Sequence, residues 1–175
     1  VDRLHKAMNL GALLRTAHAF GASFFFTVGS KLDAQEARKA DTSKGIVSVP
    51  VYDYPSAAGL ELPRRCQLIG VELTDDAIPL PSFYHPPAAA YLLGPEGGSI
   101  SPELLARCDQ VVRIPTKFCV NVSVAGAIVM YDRLLATSRL PDRVMSSLQT
   151  PGEVAAHVHG GPVFRKKRDP GPRQG

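Results

Sequence analysis

No run of about 18 apolar residues occurs in the 175-residue chain, so no segment has the length and polarity of a membrane-spanning helix. The amino-terminal stretch VDRLHKAMN lacks the apolar core of a secretory leader, and a cytoplasmic protein with no membrane partner is expected. Cysteine is scarce: Cys66, Cys108 and Cys119 are odd in number and show no CxxC spacing. That argues against a disulfide framework or a zinc site and leaves reduced thiols as the expectation. His157 and His159 are a poor metal pair beside a tail of this composition, and no metal is expected. Internal repeats are also missing.

An excess of one charge is lacking over most of the chain. The formal net charge is +4, and residues 160–175 account for it, with Arg165, Lys166, Lys167, Arg168 and Arg173 against Asp169. The body is therefore balanced and the tail basic. Such a tail adds salt-dependent attraction to phosphates, or it is merely a solvated terminus. From Gly160 onward the composition predicts little fixed structure.

What is present is enough apolar material, 45% of residues, for one compact core. Leu10, Leu13, Leu14, Ala17 and Phe20 recur at helical spacing in residues 9–20, and Gly21 can stop that helix. The run SFFFTVG that follows suits a strand buried on both faces. Further strands are predicted at Ile46–Tyr52, Gln67–Leu73, Ala89–Leu93 and Gln110–Ile114, with helices near 33–40, 55–60 and 101–108 and a long apolar one at 122–137. Thr74–Pro87, rich in proline, reads as a loop. Strands alternating with helices at this spacing predict an α/β fold, a mostly parallel sheet with helices on both faces. Residues 1–140 form the expected domain and 141–175 an extension.

Three places can carry chemistry. Leu93-Gly94-Pro95-Glu96-Gly97-Gly98-Ser99 follows a strand and matches neither the P-loop nor the dinucleotide pattern. It is either an ordinary turn or a ligand loop at the carboxyl end of a strand, and Glu96 favours the second because a carboxylate among glycines contributes nothing to a core. Ile114-Pro115 leads through a short loop to Asn121-Val122-Ser123-Val124-Ala125. Asn121 stands where a helix cap belongs, and a helix amino terminus also offers donors to a polar ligand. Asn9 and Arg15 share the first helix; Arg15 is either a side chain snorkelling at its edge or a phosphate clamp.

Taken together, Asn9-Leu-Gly-Ala-Leu-Leu-Arg15, Gly94-Pro-Glu96-Gly97 and Ile114-Pro115…Asn121-Val-Ser123-Val-Ala125 resemble the motifs of the SpoU/TrmH-type RNA 2′-O-ribose methyltransferases of the SPOUT superfamily, in order and in spacing. The resemblance implies a fold ending in a C-terminal trefoil knot, a homodimer with the long helix against its partner, and a first strand of which Val1–Leu4 remain. It implies S-adenosylmethionine as cofactor, held mainly through the main chain at Gly94, Ile114, Cys119 and Val120, with Leu73 at a strand end. It also implies RNA, tRNA or rRNA, as substrate, and Arg15, Asn9, Glu96 and Asn121 as catalytic residues. Here the loop before Asn121 is a few residues shorter than the family pattern, and Cys119-Val120 stand where the family has Ser-Leu. That departure keeps a non-catalytic RNA-binding module in view beside the enzyme, as well as a methyltransferase acting on a base nitrogen.

Overall fold

The computed structural model describes residues 1–32 and 49–137. The helix expected near 33–40, the start of the strand expected from Ile46, the extension expected at 141–175, both tail histidines and the basic tail lie outside the described residues.

Helix α1, Ala7–Ala19, buries Leu10, Leu13, Leu14 and Ala17, the apolar stripe set by the sequence. It ends in a Schellman turn: Gly21, at φ +69°, sends its N–H to the His18 carbonyl, and the Ala22 N–H reaches the Ala17 carbonyl at 2.8 Å. The helix starts two residues before Asn9, with Lys6 at the cap position, so Asn9 is not a cap and its amide is available to other partners.

Strand β1, Phe25–Val28, is buried along its whole length and pairs in parallel with β2, Val51–Tyr54. A second parallel sheet runs in the order β4-β6-β3-β5, from Ile78–Pro79, Gln110–Arg113, Gln67–Val71 and Ala89–Leu93. Residues Val1–Arg3 join the two sheets. Asp2 bridges Val28 in parallel, and its N–H donates to the Leu93 carbonyl at 2.9 Å.

Alternation along the strands sends successive side chains to opposite faces. Phe25 and Leu93 pack with Leu10, Leu13 and Leu14 of α1. Their neighbours Phe26 and Leu92 pack on the other face with Ile100 and Leu104. Leu104 belongs to α2, Pro102–Leu105. Helix α3, Val122–Ala136, opens at Asn121, whose Oδ1 accepts from the Ser123 N–H at 2.8 Å. It crosses α1 where Gly126 faces Leu13. Helices thus cover both faces of a mostly parallel sheet.

Several expectations are corrected. The helix expected at 55–60 is a single 3-10 turn, Ala57–Gly59, since Pro55 and Gly59 leave too few residues for a nucleated α-helix. The helix expected at 101–108 stops after one turn at Leu105. Of the strand expected at 46–52, Val51 and Tyr52 lie in β2, which runs on to Tyr54. The segment 74–87 is not wholly loop, because it contributes β4 and a 3-10 turn at Leu80–Ser82. The long helix, as expected, is apolar on more than one side: Val122, Gly126 and Val129 are buried, while Val124, Tyr131 and Leu135 are exposed in the single chain.

The carboxyl half of α3 is fastened by a polar relay. Arg133 Nη1 donates to the Tyr91 hydroxyl at 3.2 Å, which leaves that hydroxyl to donate to His85 Nδ1 at 2.5 Å. His85 Nε2–H then donates to Asp132 at 2.9 Å. Among the described residues no helix is long and apolar enough to cross a membrane.

Candidate active site

The carboxyl ends of β5 and β6 release two loops that face each other across a cavity of about 600 Å³. The first, residues 94–101, curls tightly. A Cβ on Gly94 would lie 3.2 Å from the Ile100 nitrogen and 3.3 Å from the Gly98 oxygen, both backbone atoms, so any larger residue would require the loop to shift. Gly97, at φ +77°, takes a conformation that L side chains resist. The second loop, residues 115–121, is pinned by the Thr116 hydroxyl, which donates to the Phe118 carbonyl at 2.9 Å.

Glu96 ties the first loop to the start of α1. Its carboxylate accepts from the His5 N–H at 3.1 Å, the Lys6 N–H at 3.2 Å and Asn9 Nδ2 at 2.8 Å. A negative group here also offsets the positive end of the helix dipole. Burial pushes the Glu96 carboxyl up, but the bonds from Asn9, His5, its own amide and Lys6 outweigh it and hold the group below the usual glutamate value. Asn9, itself buried, passes the connection on: its Oδ1 accepts from Asn121 Nδ2 at 3.2 Å. Because Asn121 Oδ1 is taken by Ser123, both amide orientations follow from their partners. The three sequence motifs therefore meet in one chain, Asn121 to Asn9 to Glu96.

All five residues expected to contact cofactor, Leu73, Gly94, Ile114, Cys119 and Val120, lie on the cavity wall. Glu96 and Asn121 lie there too. Arg15 is not brought to it. It is exposed on α1, about 9 Å along the helix axis from Asn9 at 1.5 Å per residue. Cys119 is exposed, whereas the Cys108 thiol is pushed up to about 11, first by burial and then by Asp109, and lies away from the cavity. The walls are apolar at Val71, Leu93, Ile114 and Val122 and charged at Lys6, Glu72 and Glu96. Such a cavity suits a ligand with a flat apolar part and a charged end.

Sequence reasoning missed three residues that hold the glycine loop. Asp2 accepts from the Ser101 N–H at 2.7 Å, Arg3 Nη2 donates to the Ser99 carbonyl at 3.0 Å, and Glu72 accepts from the Ile100 N–H at 2.8 Å. The signal for Glu72 was a lone charge at the end of the apolar run QLIGV; Asp2 and Arg3 gave none. Among the described residues no cluster of His, Cys, Asp and Glu could hold a metal ion.

Residues 1–131 match the model of the SpoU rRNA Methylase family. The tRNA (guanosine(18)-2′-O)-methyltransferase of Escherichia coli K12 is 30% identical over 138 residues, which cover 75% of this chain and 60% of the relative. The chain thus spans less than two thirds of that relative's length. Among solved structures, an rRNA methyltransferase from Sinorhizobium meliloti aligns with TM-score 0.69 at 24% identity, over 77% of this chain and 53% of its own. The SpoU methyltransferase AviRb from Streptomyces viridochromogenes, in complex with the cofactor AdoMet, aligns with TM-score 0.67 at 23% identity, over 81% and 57%. These two structural likenesses establish a shared fold.

Proposed function

The chain belongs to the SpoU rRNA Methylase family, and from that membership we propose that it is an S-adenosylmethionine-dependent methyltransferase acting on a ribose 2′-hydroxyl of tRNA or rRNA. The observation that carries this reading is the hydrogen-bonded chain Asn121–Asn9–Glu96 on the rim of a nucleoside-sized cavity. The name of the Escherichia coli relative supports a ribose hydroxyl over a base nitrogen.

The residues present fit the cofactor. A cavity of about 600 Å³ is in the range of small-molecule sites, its apolar walls accept a flat base, and the backbone of both loops is open to it. Gly94, Ile114, Cys119 and Val120 would hold the cofactor through main-chain groups, with Leu73 at the edge. When bound, the cofactor supplies an electrophilic methyl group. The protein's own part is positioning and charge stabilisation. Asn9, Glu96 and Asn121 fix the amino termini of α1 and α3 relative to the glycine loop. Arg15 clamps the phosphate beside the target ribose or stabilises the oxyanion that develops there. A guanidinium keeps its proton up to pH ~12 and is a poor base.

The same proposal includes a homodimer, a knotted carboxyl end and a cytoplasmic setting. Val124, Tyr131 and Leu135 are exposed at spacings of seven and four residues on α3, which places them on one stripe for a partner subunit to cover.

The test is transfer of labelled methyl from S-adenosylmethionine to RNA, followed by digestion to nucleosides. Label on ribose is expected; label on a base would replace the reading with base methylation. Arg15→Lys is expected to lower turnover at least about tenfold, because a point charge does not reproduce the guanidinium fork. The short 115–121 loop with its exposed Cys119 favours the rival reading, a non-catalytic RNA-binding module. No detectable binding of millimolar cofactor in calorimetry would overturn the enzyme reading.

A further inference from the structure

Three charged side chains stand on the cavity wall: Lys6, Glu72 and Glu96. The two carboxylates are in different situations. A carboxylate offers about four acceptor positions. Those of Glu96 go to the amides of His5 and Lys6, to Asn9 and to its own amide, so Glu96 is spent on the protein. Glu72 is not. It accepts from the Ile100 N–H at 2.8 Å and from the Leu73 N–H at 3.0 Å, one bond on each oxygen, and half of its capacity remains. Ion pairs among the described residues join Arg3 to Asp2 and His85 to Asp132, and Glu72 takes part in neither.

Glu72 is thus a half-buried carboxylate in no ion pair among the described residues, held in place from the backbone by two amides, on the wall of a cavity that is apolar at Val71, Leu93, Ile114 and Val122 and carries one cation, Lys6. Desolvating an anion in this way is costly unless a cation arrives. A group pre-set by backbone bonds loses little freedom when one does. On the reading that the cavity takes S-adenosylmethionine, we propose that Glu72 receives the primary ammonium of the cofactor's amino-acid tail. The apolar walls at Leu93, Ile114 and Val122 are left for the adenosine part, so the cavity sorts its ligand's charged end from its flat end. Glu72 is then a binding residue, and it acts on affinity before any chemistry.

Three ligands separate the possibilities by calorimetry on the whole protein: S-adenosylmethionine, S-adenosylhomocysteine, which keeps the ammonium but has a neutral sulfur, and 5′-methylthioadenosine, which has neither ammonium nor sulfonium. Glu72→Gln retains an oxygen for the Ile100 amide and removes the charge. The variant is expected to raise Kd for both amino-acid-bearing ligands about tenfold, the scale of one charge-assisted hydrogen bond. It is expected to leave 5′-methylthioadenosine unchanged, which doubles as the check that the cavity is intact. Glu72→Asp should fall between the variant and the parent. Equal affinities throughout would overturn the assignment. So would weakening of S-adenosylmethionine alone, which would make the sulfonium the partner, or weakening of all three ligands, which would reduce Glu72 to a brace for the loop. Failure of the unaltered protein to bind any of the three would overturn the cofactor reading, and this assignment with it.

Discussion

Glu96 shows how one side chain can belong to architecture and site together. Its carboxylate replaces the cap that Lys6 cannot supply at the start of α1, since the N-cap position there makes no side-chain bond. Glu96→Gln keeps the shape but weakens bonds that depend on negative charge, and should lower unfolding free energy by about 1–2 kcal/mol at neutral pH. Because the folded-state carboxyl titrates below its ordinary value of 4.5, the charged form is the one that stabilises. The difference between parent and variant is therefore full above that value and disappears as pH falls through the lowered folded value. Urea titrations of both proteins between pH 3 and pH 7 measure this, and a gap that widened toward acid would contradict it. Glu96 and Asn121 could be picked out from sequence because a carboxylate among glycines and an asparagine at a cap position stand out by residue type, whereas Asn9, buried inside α1, was marked only by the resemblance. Glu72, Asp2 and Arg3 could not, because a charge next to an apolar strand looks like any solvated strand end.

Among the elements, α1 and α3 were legible since long periodic stripes survive their context, and the Asn121 cap was legible from residue type. The short elements were not. Over four residues, one turn of helix is decided by tertiary contacts rather than propensity, which is why 55–60 and 101–108 were overestimated. The crossing of α1 and α3 was equally invisible, although its determinant is a single glycine. A Cβ on Gly126 would lie 2.6 Å from Leu13 Cδ2, so the Leu13 side chain, 1% exposed, would have to shift. Overpacking of this kind costs about 1–3 kcal/mol, against about 1 kcal/mol of helix propensity gained on replacing glycine with alanine. Gly126→Ala should therefore lower stability by about 1 kcal/mol in chemical denaturation. Adding Leu13→Val, which shortens the obstructing side chain, should recover part of that loss; a variant at least as stable as the parent would show that the helices can move apart.

For the molecule as a whole, the parallel α/β class followed from alternating strand and helix patterns, but the way residues 1–3 join the two sheets did not, because three residues carry no period. Charge is likewise a whole-molecule property. Residues 160–175 hold five cations against one acid, so removing them leaves a chain that is electrically neutral overall. If the tail meets RNA, truncation at Gly160 should flatten the dependence of log affinity on log salt by about 3–4 units at the single-strand slope of about 0.7 per phosphate contact. An unchanged slope in filter-binding or anisotropy titrations would mean that the tail stays clear of the nucleic acid.

The bonds that build the site share one more property, their reach along the chain. Glu96 meets Asn9 across 87 residues, Asn121 meets Asn9 across 112, and Ser101 meets Asp2 across 99. Closing such long loops costs conformational entropy that non-local contacts repay only once formed, so the cavity is expected to be completed after the folding transition state. A ligand of the cavity then recognises the finished protein and none of its precursors, and acts as a clasp. Stopped-flow measurements should find that bound cofactor slows unfolding while the refolding rate stays where it was.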